Sequence, residues 1–136
     1  MSKATDSVAQ ALGVAVLTVS DTRSLEDDTS GQYLVDALAA EGHRNAARQI
    51  VRDDIYQVRA VLSAWIAADD VDAILVTGGT GFSGRDSTPE AVRPLFDKEV
   101  DGFGEVFRAL SFDEIGSSTI QSRAIAGLAN DTVIFC

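Results

Sequence analysis

The sequence predicts a single α/β domain. A mostly parallel, Rossmann-like sheet lies between two layers of helices, giving three layers in all. Three observations predict this. Short apolar runs alternate with segments of helical spacing, as in parallel strands joined by crossover helices. Those runs are nearly continuous in apolar residues, as in strands covered on both faces. One of them breaks into a glycine-rich segment, and open α/β sheets bind ligands at such strand ends. The 136 residues suffice for one hydrophobic core.

Residues 1–10 are polar and read as a flexible N-terminal arm, so the domain is assigned to residues 11–136. Gly13 to Val19 is the first strand and ends in Ser20-Asp21-Thr22-Arg23. Asp27, Asp28 and Ser30 precede a helix with Leu34, Ala37, Leu38 and Glu41 at helical spacing, stopped by Gly42. Ala46 to Val51 is the second strand. Asp53-Asp54 opens the next helix, whose apolar stripe is Ile55, Val58, Leu62, Trp65 and Ile66. Asp54 with Gln57 resembles a capping box. Ala73 to Val76 is the third strand. Thr88-Pro89-Glu90 reads as N-cap, N1 proline and acidic first turn of a third helix. Helices are expected over 103–111 and 119–126, and a last strand over Thr132 to Phe135. The sequence stops at or just past that strand, so either the sheet closes there or a C-terminal segment is missing.

A formal charge of −10 argues against nucleic-acid binding, which needs a basic face, and against docking on anionic lipid. An anionic substrate needs local amides, arginine or a metal ion to overcome the overall repulsion. The sole cysteine, Cys136, excludes an intrachain disulfide and suits a reducing cytosol. No apolar run is long enough to span a membrane, and the first ten residues lack the apolar core of a signal peptide. The expected location is cytoplasmic.

Right-handed crossovers place the loops after Val19 and Val76 at one carboxyl edge of the sheet, within reach of Asp53. Thr77-Gly78-Gly79-Thr80-Gly81 is the central feature of that edge. Glycines let the main chain approach a ligand closely, and exposed amides with threonine hydroxyls bind anionic oxygens. Glycines serving only a tight turn are the alternative. Gly79 to Gly84 matches the dinucleotide pattern G-x-G-x-x-G, but the helix-start signal at Thr88-Pro89 comes several residues late and the motif follows the third strand. Gly79 to Asp86 also falls short of a P-loop, because Arg85 replaces its lysine and Asp86 its hydroxyl.

Asp86 beside an anion-binding loop would repel phosphate unless it holds Mg2+, which bridges carboxylate and phosphate oxygens. An Asx-turn or cap is the alternative. Asp53 reads either as a helix cap or as a site residue. Ser20, Asp21 and Thr22 are either second-loop contacts or turn chemistry. Glu105 and Arg108 at i, i+3 suit a surface ion pair. Ser122-Arg123 offers either a cation for an anionic ligand or a solvated surface. His43 sits at a helix end, away from any role as general base.

Thr77-Gly78-Gly79-Thr80-Gly81 followed by Arg85-Asp86-Ser87-Thr88-Pro89-Glu90 resembles the signature of the MoaB/MogA family of molybdenum cofactor biosynthesis proteins. Thr18-Val19-Ser20-Asp21-Thr22-Arg23, Val51-Arg52-Asp53-Asp54, Gly102 to Arg108 and Ser122-Arg123 fit as well. The resemblance covers about residues 10–136 and is closest to the MoaB branch. It implies a domain that binds molybdopterin, a pterin dithiolene with a terminal phosphate, and transfers AMP to that phosphate from ATP with Mg2+. A non-catalytic pterin-binding or assembly protein of the same pathway is the alternative. The resemblance further implies Asp53 and Asp86 as catalytic residues, with Asp86 as metal ligand. It implies substrate contacts at Ser20, Asp21, Thr77, Gly78, Gly79, Thr80, Gly81, Glu105, Ser122 and Arg123. A homotrimer or homohexamer, and contacts with other proteins of the pathway, follow from the same resemblance. The Pro-Gly-Ser-like loop and final helix with which the family continues are lacking in this sequence.

Overall fold

The computed structural model describes residues 10–80 and 86–136. The expectations for the N-terminal arm through residue 9 and for Gly81 to Arg85 lie outside the described residues. Six strands form one sheet in the order β2-β1-β3-β6-β5-β4. They are β1 (Gly13–Val19), β2 (Arg44–Val51), β3 (Ala73–Thr77), β4 (Lys98–Glu99), β5 (Ala126–Ala129) and β6 (Thr132–Phe135). The helices are α1 (Thr29–Ala40), α2 (Ile55–Ala67), α3 (Thr88–Val92) and α4 (Asp101–Ile115).

β2, β1, β3 and β6 are mutually parallel, and β5 and β4 add antiparallel pairings at one side. Strand alternation divides the core between two faces. On one face Val14, Val16, Ala73 and Leu75 meet Leu34, Val35 and Leu38 of α1. On the other Ala15, Leu17, Val19, Ile74 and Val76 join Val58 and Leu62 of α2 and Ala91 and Val92 of α3. Phe135 pairs in register with Leu75 and therefore shares the α1 face. It touches Phe103, with ring centroids 5.3 Å apart, so α4 covers the far half of that face. The three-layer, mostly parallel expectation holds.

The helix expected over 119–126 does not form. Gly116–Gln121 is a 3-10 turn, and Ala126–Ala129 is strand β5. The small apolar residues of Ala124-Ile125-Ala126-Gly127-Leu128-Ala129 have no strong local preference. Pairing with β6 through the tight turn at Asn130-Asp131, both at positive φ, decides the outcome. The third helix begins one residue earlier than read: Ser87 occupies the N-cap position without capping, and Thr88 is helical. α4 extends beyond the expected 103–111 at both ends.

One buried charge fixes the start of α1. Asp28 is 1% exposed. It accepts from Thr18 Oγ1 at 2.7 Å, from Gly31 N at 3.0 Å and from Arg48 Nη2 at 3.3 Å. Burial pushes its pKa up. The Thr18, Gly31 and Arg48 hydrogen bonds together outweigh burial and hold it below the ordinary carboxylate range. A depressed native pKa contributes stability above the unfolded value, and this is lost as pH falls through the native one.

Asp28→Ala removes a cap and strands the buried Thr18 hydroxyl. The expected loss is about 2–3 kcal/mol of unfolding free energy at neutral pH, read by urea denaturation. The gap between parent and variant should narrow below about pH 4, where the unfolded carboxylate protonates.

Candidate functional site at the carboxyl edge of the sheet

β1, β2 and β3 run parallel and end together at Val19, Val51 and Thr77, so the loops that follow leave from one edge. Ser20 N donates to Val51 O at 2.9 Å, which holds the first two loops side by side. The third loop is pressed against them. A Cβ on Gly78 would lie 2.2 Å from Val19 O. One on Gly79 would lie 2.2 Å from Thr88 Oγ1 and 3.0 Å from Asp53 Oδ2. Gly78 and Gly79 have φ of +101° and +71°, which L side chains rarely adopt. The loop is therefore folded by its own contacts: Thr88 Oγ1 donates to Gly78 O at 2.8 Å, and Thr88 N donates to Gly79 O at 3.0 Å.

Asp53 is 9% exposed and joins all three loops. Its Oδ1 accepts from Ser87 Oγ at 2.5 Å and from Ser87 N at 3.2 Å. Its own amide donates to Asp21 Oδ1 at 3.1 Å. The helix cap is the neighbouring Asp54, which accepts from Tyr56 N and Gln57 N. Of the two readings of Asp53, the cap is thus excluded. Ser20 Oγ accepts from Thr22 N and Arg23 N, the turn chemistry expected of it.

Asp86 is half-buried, and its carbonyl accepts from Arg123 Nη2. Arg123 N donates to Thr80 O at 3.3 Å, and Arg123 Nη1 bonds the Glu90 carboxylate. The Arg123 hydrogen bond is the main reason the Glu90 pKa lies below its ordinary value. Arg123 is therefore a brace between Thr80 and Asp86, neither solvated surface nor a cation held in reserve. Arg108 turns to Ser122, donating to its carbonyl at 3.1 Å, in place of the ion pair expected with Glu105. Glu105 is exposed on α4 and lines no part of the cleft described next.

Beside the glycine loop, on the α1 face, lies an apolar cleft of about 280 Å3. Leu75, Thr77 and Phe135 form its floor, Leu34 one wall, and Phe103 and Phe107 the other. The two phenylalanines stack with centroids 5.8 Å apart. Thr77 and Leu34 also line an adjoining hollow with Thr29 and Ser30 of α1. Cys136 borders the cleft, and burial pushes its thiol up to about 12, which keeps it protonated at neutral pH. His43 lies at the opposite edge, its Nδ1 accepting from Leu12 N. Among the described residues no three His, Cys, Asp or Glu side chains cluster as a metal cage. Mg2+ that arrives with phosphates needs only one or two carboxylates, and the oxygen-rich set here suits that hard cation.

Reading the sequence by itself missed Ser87, Thr88 and Glu90 as site partners; it read Thr88 and Glu90 only as helix-start residues and gave Ser87 no role of its own. It also missed the cleft walls, although Phe103 and Phe107 stand at i, i+4, on one helix face.

Residues 15–136 match a family profile described as "Probable molybdopterin binding domain". Molybdenum cofactor biosynthesis protein B of Escherichia coli (strain K12) is 59% identical over 122 residues, spanning 90% of this chain and 72% of that protein. The protein of the same name from Bacillus subtilis (strain 168) is 47% identical over 121 residues, covering 88% of this chain and 71% of its own. A crystal structure of molybdenum cofactor biosynthesis protein B superposes with a TM-score of 0.91 at 43% identity, over 95% of this chain and 81% of that one. The tungsten cofactor synthesizing protein MoaB from Pyrococcus furiosus gives 0.83 at 36% identity, over 94% and 82%. With its fold, its strand-end loops and these relatives in agreement, the chain belongs to the MoaB family of molybdenum cofactor biosynthesis proteins.

Proposed function

We propose that this protein binds molybdopterin and transfers AMP from ATP to its terminal phosphate in the cytoplasm. The observation that carries this reading is the meeting of three strand-end loops through Asp53. They place Gly78 and Gly79, Asp86 and the Thr77 end of an apolar cleft at one edge. The cleft offers flat apolar and aromatic walls to a pterin, and the glycine loop offers polar backbone to its phosphate.

In the reaction, a phosphate oxygen of molybdopterin attacks the α-phosphorus of ATP. The new bond joins that oxygen to phosphorus. The bond from the α-phosphorus to the bridging oxygen of the β-phosphate breaks, and pyrophosphate leaves with the electron pair. The nucleophile is already anionic at neutral pH, so no general base is required, in keeping with the lack of a histidine at this edge. Catalysis is then positioning and charge neutralisation. Asp86 is the residue that would hold Mg2+, which supplies charge neutralisation to the phosphates. Arg123 holds the Asp86 backbone in place.

Asp53 favours a second reading. Its Oδ1 is committed to Ser87, as in a residue whose work is to brace the loops of a non-catalytic binding protein. Contacts with other proteins of the pathway suit either reading.

We also propose a homotrimer or homohexamer. α4 leaves Val106, Leu110, Phe112 and Ile115 between 56% and 66% exposed, an apolar density that monomers rarely tolerate.

Asp86→Asn should lower AMP transfer by roughly a hundred- to a thousand-fold with an unchanged melting temperature. Asp53→Asn should slow transfer and also lower the melting temperature, because it weakens both bonds to Ser87. Transfer by Asp86→Asn at the parent rate with saturating Mg2+ removes the metal role. A parent that binds molybdopterin but transfers nothing selects the binding-protein reading.

Light scattering at micromolar concentration should give the mass of three or six chains; the mass of one chain removes the assembly.

A further inference from the structure

We infer that a second concavity, between the first loop and the edge strand β2, is an anion site that takes the polyphosphate of a nucleoside triphosphate. This basin has a volume of about 450 Å3, ample for such a group. Arg23, Arg48 and Arg52 line it, three of the chain's 11 lysines and arginines against 21 acidic residues. By contrast, among the described residues no cation lines the apolar cleft, the hollow at Thr29 or the hollow between Ile66 and Thr132.

Arg48 is already neutralised by Asp28 at 3.3 Å. With Nη1 on Gln32 at 2.8 Å and Nη2 on Asp28, it holds the wall rather than the ligand. The available charge comes from Arg23 and Arg52, opposed by Asp21 on the same rim. Arg23 spends Nη1 on Asp27 O at 2.7 Å, which aims the guanidinium and leaves most of its five N–H donors. Arg52 is exposed and forms no ion pair among the described residues. Two guanidiniums offer the forked donors that phosphate oxygens match. Gln57 adds an amide to the lining.

The rim of the basin adjoins the candidate site. Arg52 immediately precedes Asp53, and Asp21 of the rim accepts from the Asp53 amide. A triphosphate here would therefore approach the glycine loop from the side opposite the apolar cleft. The choice of nucleotide rests on the reading given under Proposed function; the choice of a polyanion rests on the arginines.

Titration calorimetry of the full chain with ATP, and separately with tripolyphosphate, tests the site. Arg52→Gln should weaken both ligands roughly tenfold, and Arg23→Gln with Arg52→Gln roughly a hundredfold. Arg44→Gln, at the other end of β2, should change neither, and the melting temperatures should stay together. Molybdopterin affinity should be the same in all variants. Equal ATP affinity in the double variant and the parent overturns the inference, as does a parent that binds neither ATP nor tripolyphosphate. If the parent transfers AMP but the arginines do not affect ATP affinity, the inference falls and the proposed reaction stands. If both ligands depend on the arginines but no transfer occurs, the reaction falls and the site stands.

Discussion

The candidate site depends on the pair of hydrogen bonds from Ser87 to the Asp53 carboxylate. Parallel strands joined by right-handed crossovers bring loops to one edge, but they do not fix how those loops meet. Here the second loop reaches over to the start of α3 through Ser87, and back to the first through Asp21. The glycine loop is trapped between: Gly79 lies so close to Asp53 and Thr88 that no side chain fits. A nearly buried aspartate with its hydrogen bonds made is stable where an unpaired one would be costly. Those bonds also fix its position, which the proposed catalysis by charge placement would need.

In this acidic chain the arginines are committed in different directions. Arg123 is neutralised by Glu90 and bonded to backbone, so it shapes the loop without adding net charge. Arg48 does the same for Asp28 beneath α1. Arg23 and Arg52 remain at the rim of the basin. An exposed β2 edge that carries arginine also resists pairing with other strands.

Much of this was legible in the sequence, and the exceptions have physical causes. The apolar run of β1 marked a strand buried on both faces, and every one of its residues is buried; β3 and β6 are strands as expected, with one face buried and the other only partly so. Asp54 announced its cap through Gln57. The roles of Asp53 and Asp54 were not separable locally, because an aspartate pair before a helix offers two candidate caps and only the tertiary contact of Asp53 with Ser87 chooses between them. The residues of β5 carry no strong strand signal; they become a strand because β6 offers an edge. The two-residue β4 is too short to show any periodicity. Arg123 was recognised as a site residue, but whether it faces ligand or main chain depends on where Thr80 and Asp86 lie in space.

The place of β6 has a consequence for synthesis. Residues 132–135 form an inner strand, seated between β3 and β5. A nascent chain therefore carries β1, β2 and β3 with the inner edge of β3 unpaired until residues 132–135 have left the ribosome, more than fifty residues after β3. That edge is apolar on both faces and a ready template for wrong pairing. The hairpin of β5 and β6, closed by two residues at positive φ, can form within microseconds of emerging. It then arrives as a preformed unit, which shortens the interval in which the open half-sheet is vulnerable.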